Sequence, residues 1–231
     1  AFQNNNDHYP DLDDTAMVGM ALDRADRDKY SKPVRRAADW IEAMQSSNGG
    51  WGSFDAENEK NYLNHIPFAD HGALLDPPSV DVSARCIGFL AQIGYPKDHP
   101  VIKKGLEFLL HEQEENGSWF GRWGTNYVYG TWSVLCALAI AGVAKDSAPV
   151  RQSVAWLKSK QREDGGWGET GDSYYPERTE QSLIKLSTPS QTAWAVLGLL
   201  AAGEVNSQAV RRGVNFLLKA QRCGAKWDEM E

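Results

Sequence analysis

The chain has 231 residues, 42% of them hydrophobic and 24% charged, and a formal net charge of −7. That size and apolar share suffice for one large core or two small ones, and the acidic balance, with no Lys/Arg-rich run, argues against nucleic acid as a partner. The longest apolar run, Val134 to Ala144, is too short to span a bilayer. Cys86, Cys136 and Cys223 form no C-x-x-C pair, so buried thiols in a reducing, cytosolic setting are expected. Ala1-Phe2-Gln3 reads as the middle of a longer chain.

The first strong signal is Asp11-Leu12-Asp13-Asp14-Thr15-Ala16, three carboxyls within four positions. Like charges this close cannot all ionise cheaply, and burial pushes the same way. The product would be a carboxylic acid still protonated at neutral pH and poised to give up its proton. The alternative is an acidic helix N-terminus, favoured by the backbone dipole.

Capping signals then divide the chain into helices. Four are largely apolar: Thr15–Arg27, Ser79–Gln92 after Pro77-Pro78, Tyr129–Ala141, and Ser190–Ala202 after Thr188-Pro189. Alternating with them are amphipathic, basic helices that start near Ser31, Pro100, Ser147 and Ser207 and close on Gln45, Gln113, Gln161 and Gln221. The first three Gln residues open one repeated pattern, Gln-x3-Gly-x-Trp, ending at Trp51, Trp119 and Trp167; in the fourth, Gln221 to Trp227, Gly224 comes one place early. Glycine in such a turn supplies left-handed backbone. The Gln amide can satisfy free groups at a neighbouring helix end, with the indole stacked over it. Because these Gln and Trp residues recur once per repeat, they read as scaffold.

A helix apolar over most of its surface must be buried, whereas an amphipathic one faces solvent. Alternating pairs therefore stack as a solenoid or curl into a ring with the apolar helices inside. The predicted class is all-α, an α/α-barrel of helix hairpins in which four pairs form an arc of a six-pair ring. Residues 1–231 would then be part of one such barrel, its open arc exposing apolar faces.

The acid motif and the Gln-x3-Gly-x-Trp repeats together resemble the bacterial squalene–hopene cyclases of the triterpene cyclase family. Further agreement lies in Asn64-His65-Ile66-Pro67-Phe68, Asp76-Pro77-Pro78-Ser79, Gly117-Ser118-Trp119-Phe120-Gly121-Arg122-Trp123-Gly124 and Ser187-Thr188-Pro189-Ser190-Gln191-Thr192-Ala193-Trp194. The likeness covers essentially the whole chain, corresponding to the central-to-C-terminal part of a longer protein. It implies that Asp13 protonates the terminal double bond of squalene, with Asp11 and Asp14 beside it, and that carbocations then close the rings of hopene or hopanol. It implies that Phe2, Phe54, Trp123 and Tyr129 line the cavity, offering π faces worth ~0.5–2 kcal/mol each to a cation, and that Phe68 and Ala69 lie at the narrowing of the substrate channel. No cofactor is implied. The implied partners are squalene and membrane lipid, through monotopic attachment to the cytoplasmic face of the bacterial inner membrane, with a homodimer as the assembly to test.

Two positions depart from the family pattern: Phe54 stands where it has Tyr, and Arg85 where it has His. Arg85 would hold a flanking Asp ionised and so concentrate the proton on Asp13; Asp81, at i,i+4, can pair with it. The five His residues show no zinc-ligand spacing, which argues against metal-dependent prenyltransferase β-subunits. A glycoside hydrolase on an α/α-barrel would want two carboxyls from different loops. A cyclase for another squalene-like terpene and a non-catalytic helical-repeat binding module remain as alternatives. As an isolated fragment the chain is expected to be inactive.

Overall fold

A computed structural model describes residues 10–58, 60, 63, 75–174, 186–221, 226 and 227. The described residues form eight α-helices and no strand: α1 (Leu12–Ala25), α2 (Ser31–Ala43), α3 (Val80–Gln92), α4 (Pro100–His111), α5 (Tyr127–Ile140), α6 (Ala148–Lys160), α7 (Pro189–Ala201) and α8 (Gln208–Ala220). The chain divides into two compact units between His111 and Glu112.

In the first unit α3 packs against α1, α2 and α4, and α1 also packs against α2. Apolar on nearly every side, α3 buries ten residues, from Val80 through Leu90 with Arg85 as the exception. By contrast α2 buries one stripe, Val34, Ala38 and Ile41, the i, i+4, i+7 spacing of a solvent-facing helix. α1, expected among the buried helices, also buries one stripe (Leu12, Ala16, Gly19, Asp23) and leaves Met17 and Val18 exposed. Gly19 lets the Phe89 ring of α3 lie on α1; a Cβ there would come within 2.6 Å of Phe89 Cε2.

In the second unit α5 lies along α7, with α6 against both and α8 against α7. α5 again buries ten residues, whereas α6 buries Val150, Ser153, Trp156 and Leu157. The expected alternation of buried and half-buried helices holds for α3 to α6.

The turns after α2, α6 and the helix-free segment following α4 share one bonding scheme. Gln45 Nε2 donates to the carbonyls of Gly49 and Val101, Gln113 Nε2 to Gly117 and Pro149, and Gln161 Nε2 to Gly165 and Ala209. The second acceptor is each time the second residue of the next amphipathic helix, α4, α6 or α8. That carbonyl lies inside the first helical turn, so the amide reaches a helix body and not the free groups of its end. The indoles add a bond of their own. Trp51, Trp167 and Trp227 donate Nε1–H to the carbonyls of Ile41, Leu157 and Leu217 at 2.7, 2.7 and 2.9 Å, each ten residues back. The fourth turn therefore keeps the indole bond although its glycine is displaced. Gly49 has φ +93°, and a Cβ there would stand 2.4 Å from the Lys104 carbonyl oxygen, so glycine is required on both counts.

Two helix starts differ from expectation by more than one residue. α1 begins at Leu12, not Thr15, and takes Asp13 and Asp14 into its first turn, because Asp11 is its N-cap and accepts the Asp14 amide at 2.8 Å. Thr15 is thus a helical residue and not a cap. α5 begins at Tyr127, two residues before the predicted Tyr129, for a reason that lies in the second unit's carboxylates.

Candidate active site

The acid cluster sits in the first unit, where three elements fix it. The Asp11 carboxylate is committed to capping α1 and is 5% exposed. Leu12 donates its amide to the Ser53 carbonyl at 2.9 Å, tying the start of α1 to the loop after Trp51. That loop is held in turn by Asp76, whose Oδ2 accepts the Phe54 amide at 2.6 Å. α3 supplies Asp81 and Arg85 from below. Asp81 is 2% exposed, with Oδ1 accepting from Ser79 Oγ at 2.6 Å and the Val82 amide at 3.1 Å. Asp81 is therefore no part of a surface ion pair.

Arg85 Nη1 lies 3.5 Å from Asp13 Oδ1. Arg85, expected to act on a flanking carboxylate, reaches Asp13 itself. The contact is too loose for a hydrogen bond, and Asp13 Oδ1 is buried without a hydrogen-bond partner among the described residues. Burial pushes the Asp13 carboxyl above its ordinary range, Arg85 opposes, and the carboxylates of Asp11, Asp81 and Asp14 push further up; the net direction is up. Burial likewise pushes the Cys86 thiol, beside Arg85, well up, with Asp13 and Asp11 adding to it. Cys86 and Cys136 are free thiols, the first buried as expected.

Among the aromatic candidates, Phe54 is half-buried in the loop that holds α1. Trp123 is 48% exposed, with the Arg122 guanidinium 5.7 Å from its ring centre. Tyr129 is buried on α5, with Gly121 and Gly124 pressed against its ring. Phe2, Phe68 and Ala69 lie outside the described residues. Two further aromatics, not singled out from sequence, join Tyr129: its ring meets Trp194 edge-on at 5.0 Å and Trp132 at 5.6 Å, and Trp132 stacks on Trp194 at 5.8 Å with a 12° tilt. Trp132 follows Tyr129 by three positions on one helix face; Trp194 comes from α7, and nothing in the local pattern pairs it with α5.

Among the described residues no group of His, Cys, Asp and Glu could hold a metal ion. What the acid cluster offers is a carboxyl whose pKa is raised by burial, with a cation at hand to stabilise the base it leaves behind.

The sequence profile of the squalene-hopene cyclase C-terminal domain matches residues 1–231. The chain is 60% identical over 229 residues to a squalene-hopene cyclase of Schizosaccharomyces japonicus and 56% identical over 234 residues to one of Zymomonas mobilis. Each match takes in 99% of the chain but 35% of the relative, so the chain spans about a third of the length of these curated relatives. Among solved structures, the apo type II terpene cyclase MstE from Scytonema aligns with a TM-score of 0.67 at 22% identity, covering 95% of this chain and 58% of that one. This likeness concerns the fold alone, an arrangement of paired helices.

Proposed function

Because the chain belongs to the squalene–hopene cyclase C-terminal domain family, we propose that it carries the acid that starts cyclisation in a triterpene cyclase acting on squalene. Asp13 gives its proton to the less substituted carbon of the terminal double bond, which leaves a tertiary carbocation and a carboxylate. Arg85, 3.5 Å away, stabilises that carboxylate. Successive double bonds then attack the cation, and Tyr129, Trp123, Phe54 and Phe2 offer it π faces without offering a nucleophile. Loss of a proton yields hopene, and capture of water yields hopanol; Asp13 is reprotonated from solvent. Phe68 and Ala69 are assigned to the substrate channel.

One observation supports this reading above the others: a buried carboxyl oxygen without a hydrogen-bond partner among the described residues, on a carboxyl whose pKa is raised, between three further carboxylates. A binding module has no use for such a group. The test is product formation from squalene by the Asp13→Asn variant of the full-length protein, with thermal unfolding as the control. The amide keeps the shape but cannot protonate carbon, so cyclisation should vanish while the fold remains. Near-normal turnover would refute the assignment.

Squalene is insoluble in water, so the enzyme must take it from lipid, and the monotopic attachment at the cytoplasmic face that the family resemblance implies would serve that need. No described helix is long and apolar enough to cross a membrane. Recovery of the full-length protein in the soluble fraction without detergent would count against attachment. The 231-residue piece by itself should not turn over squalene, and Met17, Val18 and Leu218, all more than 40% exposed, should draw it to detergent.

A further inference from the structure

α5 lacks a cap of its own. Asn126, at the N-cap position, makes no side-chain bond to the helix; its Oδ1 accepts the Gly121 amide at 3.1 Å and its Nδ2 donates to the Ser173 carbonyl at 3.1 Å. The cap comes from more than forty residues downstream. Glu169 Oε2 accepts the amides of Asn126 and Tyr127, both at 2.7 Å, and Oε1 accepts the Val128 amide at 3.2 Å. Three of the orphan donors of a helix start thus converge on one buried carboxylate.

The backbone of Glu169 is itself clasped from α7. Its amide donates to Gln191 Oε1, and its carbonyl accepts from Gln191 Nε2 at 3.1 Å. Gln191 is the third residue of α7, and Trp194 stands one turn further on. On α5 the capped amide of Val128 directly precedes Tyr129, with Trp132 one turn beyond. Glu169 therefore caps the start of α5 and is tied through its backbone to the first turn of α7, which Thr188 caps, at the end of both helices nearest those rings.

We propose that Glu169 is a positioning residue for the Tyr129–Trp132–Trp194 cluster, holding α5 and α7 in the register at which these rings face a cationic intermediate; this rests on the cyclase reading above. The carboxyl group suits the task because its two oxygens accept three amides at once. An amide side chain has one acceptor oxygen and would turn its NH2 toward backbone N–H groups.

The experiment compares wild type, Glu169→Gln and Gln191→Leu in the full-length protein. Two quantities are read: the near-ultraviolet circular dichroism of the Trp132–Trp194 stack, defined by difference from Trp132→Phe, and the ratio of incompletely to fully cyclised products from squalene. The product ratio does not depend on how much enzyme is folded. Glu169→Gln should diminish the stack signal with far-ultraviolet helicity unchanged, raise the share of incompletely cyclised products, and lower kcat about tenfold or more, since ~1 Å of misplacement can cost ~100-fold. Gln191→Leu leaves the carboxylate cap in place and should shift both readouts in the same direction but less, which keeps the test open if Glu169→Gln does not fold. A wild-type enzyme that cyclises squalene, with variants that match it in either the stack signal or the product ratio, overturns the inference alone. A wild-type enzyme inert on squalene overturns the cyclase reading and the inference with it.

Discussion

Asp13 must meet two demands that pull apart. It has to keep its proton near neutral pH, and it has to be acidic enough to protonate an alkene. Burial and the carboxylates of Asp11, Asp81 and Asp14 serve the first demand, and Arg85 serves the second by stabilising the carboxylate left behind. Replacing Arg85 with Gln should therefore raise the Asp13 pKa further. Since activity requires the protonated acid, the alkaline limb of the pH–rate profile should move to higher pH while the maximal rate falls. A profile unmoved by Arg85→Gln would show that the 3.5 Å contact does not act on the reacting proton. Asp11 works differently, as a cap. Asp11→Ala should lower stability by about 1 kcal/mol through the lost cap alone, whereas Thr15→Ala, within the helix, should lose no cap and gain up to ~0.5 kcal/mol on propensity grounds, because Ala is the stronger helix former. Thermal unfolding of the two variants separates these roles.

At the scale of the element, the Gln-Gly-Trp turn is a stitch between one amphipathic helix and the next. Gln161 makes two N–H···O bonds, to Gly165 and to Ala209 of α8. At a net ~1 kcal/mol each, Gln161→Leu should cost about 2 kcal/mol. Trp167→Ala should cost about 3–5 kcal/mol for a fully buried ring. Because both side chains serve one turn, the double variant should lose less than the sum; strict additivity in denaturant unfolding would deny that they form a unit. The helix pairs themselves were legible in the sequence, since 3.6-residue periodicity and the Gly and Pro punctuation are local signals. Asp11 as cap is legible in principle, but three neighbouring carboxyls do not by themselves say which caps the helix and which enter it. The start of α5 was not legible: its cap is Glu169, and no local pattern joins residues 126–128 to a carboxylate in the turn after Trp167. The stacking of Trp132 on Trp194 is hidden for the same reason, because spacing along one chain does not encode which faces of two distant helices meet. For Asp81, i,i+4 spacing puts it one turn from Arg85 but does not encode its burial.

For the molecule as a whole, the buried carboxyls set how stability varies with pH, and they do not all act in one direction. Asp23, at the far end of α1, accepts from Arg27 Nε at 2.8 Å and from Gln92 Nε2 at 2.9 Å, and these bonds hold its pKa below the ordinary 3.8. A depressed carboxyl contributes stability that is present above its unfolded pKa and is lost as pH falls through the folded one. Glu169 does the reverse. Its burial raises the pKa from 4.5 to about 7, even against the backbone amides of Asn126 and Val128, which favour the ionised form. Between those two values the unfolded chain has already released the proton that the folded chain retains, so stability falls as pH rises. At ~1.4 kcal/mol per pH unit the total loss comes to about 3 kcal/mol. The raised carboxyl of Asp13 adds to the same slope. Maximal stability should accordingly lie in the mildly acidic range, above the protonation of Asp23 and below the ionisation of Glu169. Thermal unfolding of the full-length protein from pH 4 to pH 8 in constant salt is the measurement. Glu169→Gln should flatten the decline between about pH 4.5 and 7, while leaving the loss at the acid end untouched. A variant that retains the full slope would mean that Glu169 is already ionised in the folded protein throughout that range, held so by its backbone amides.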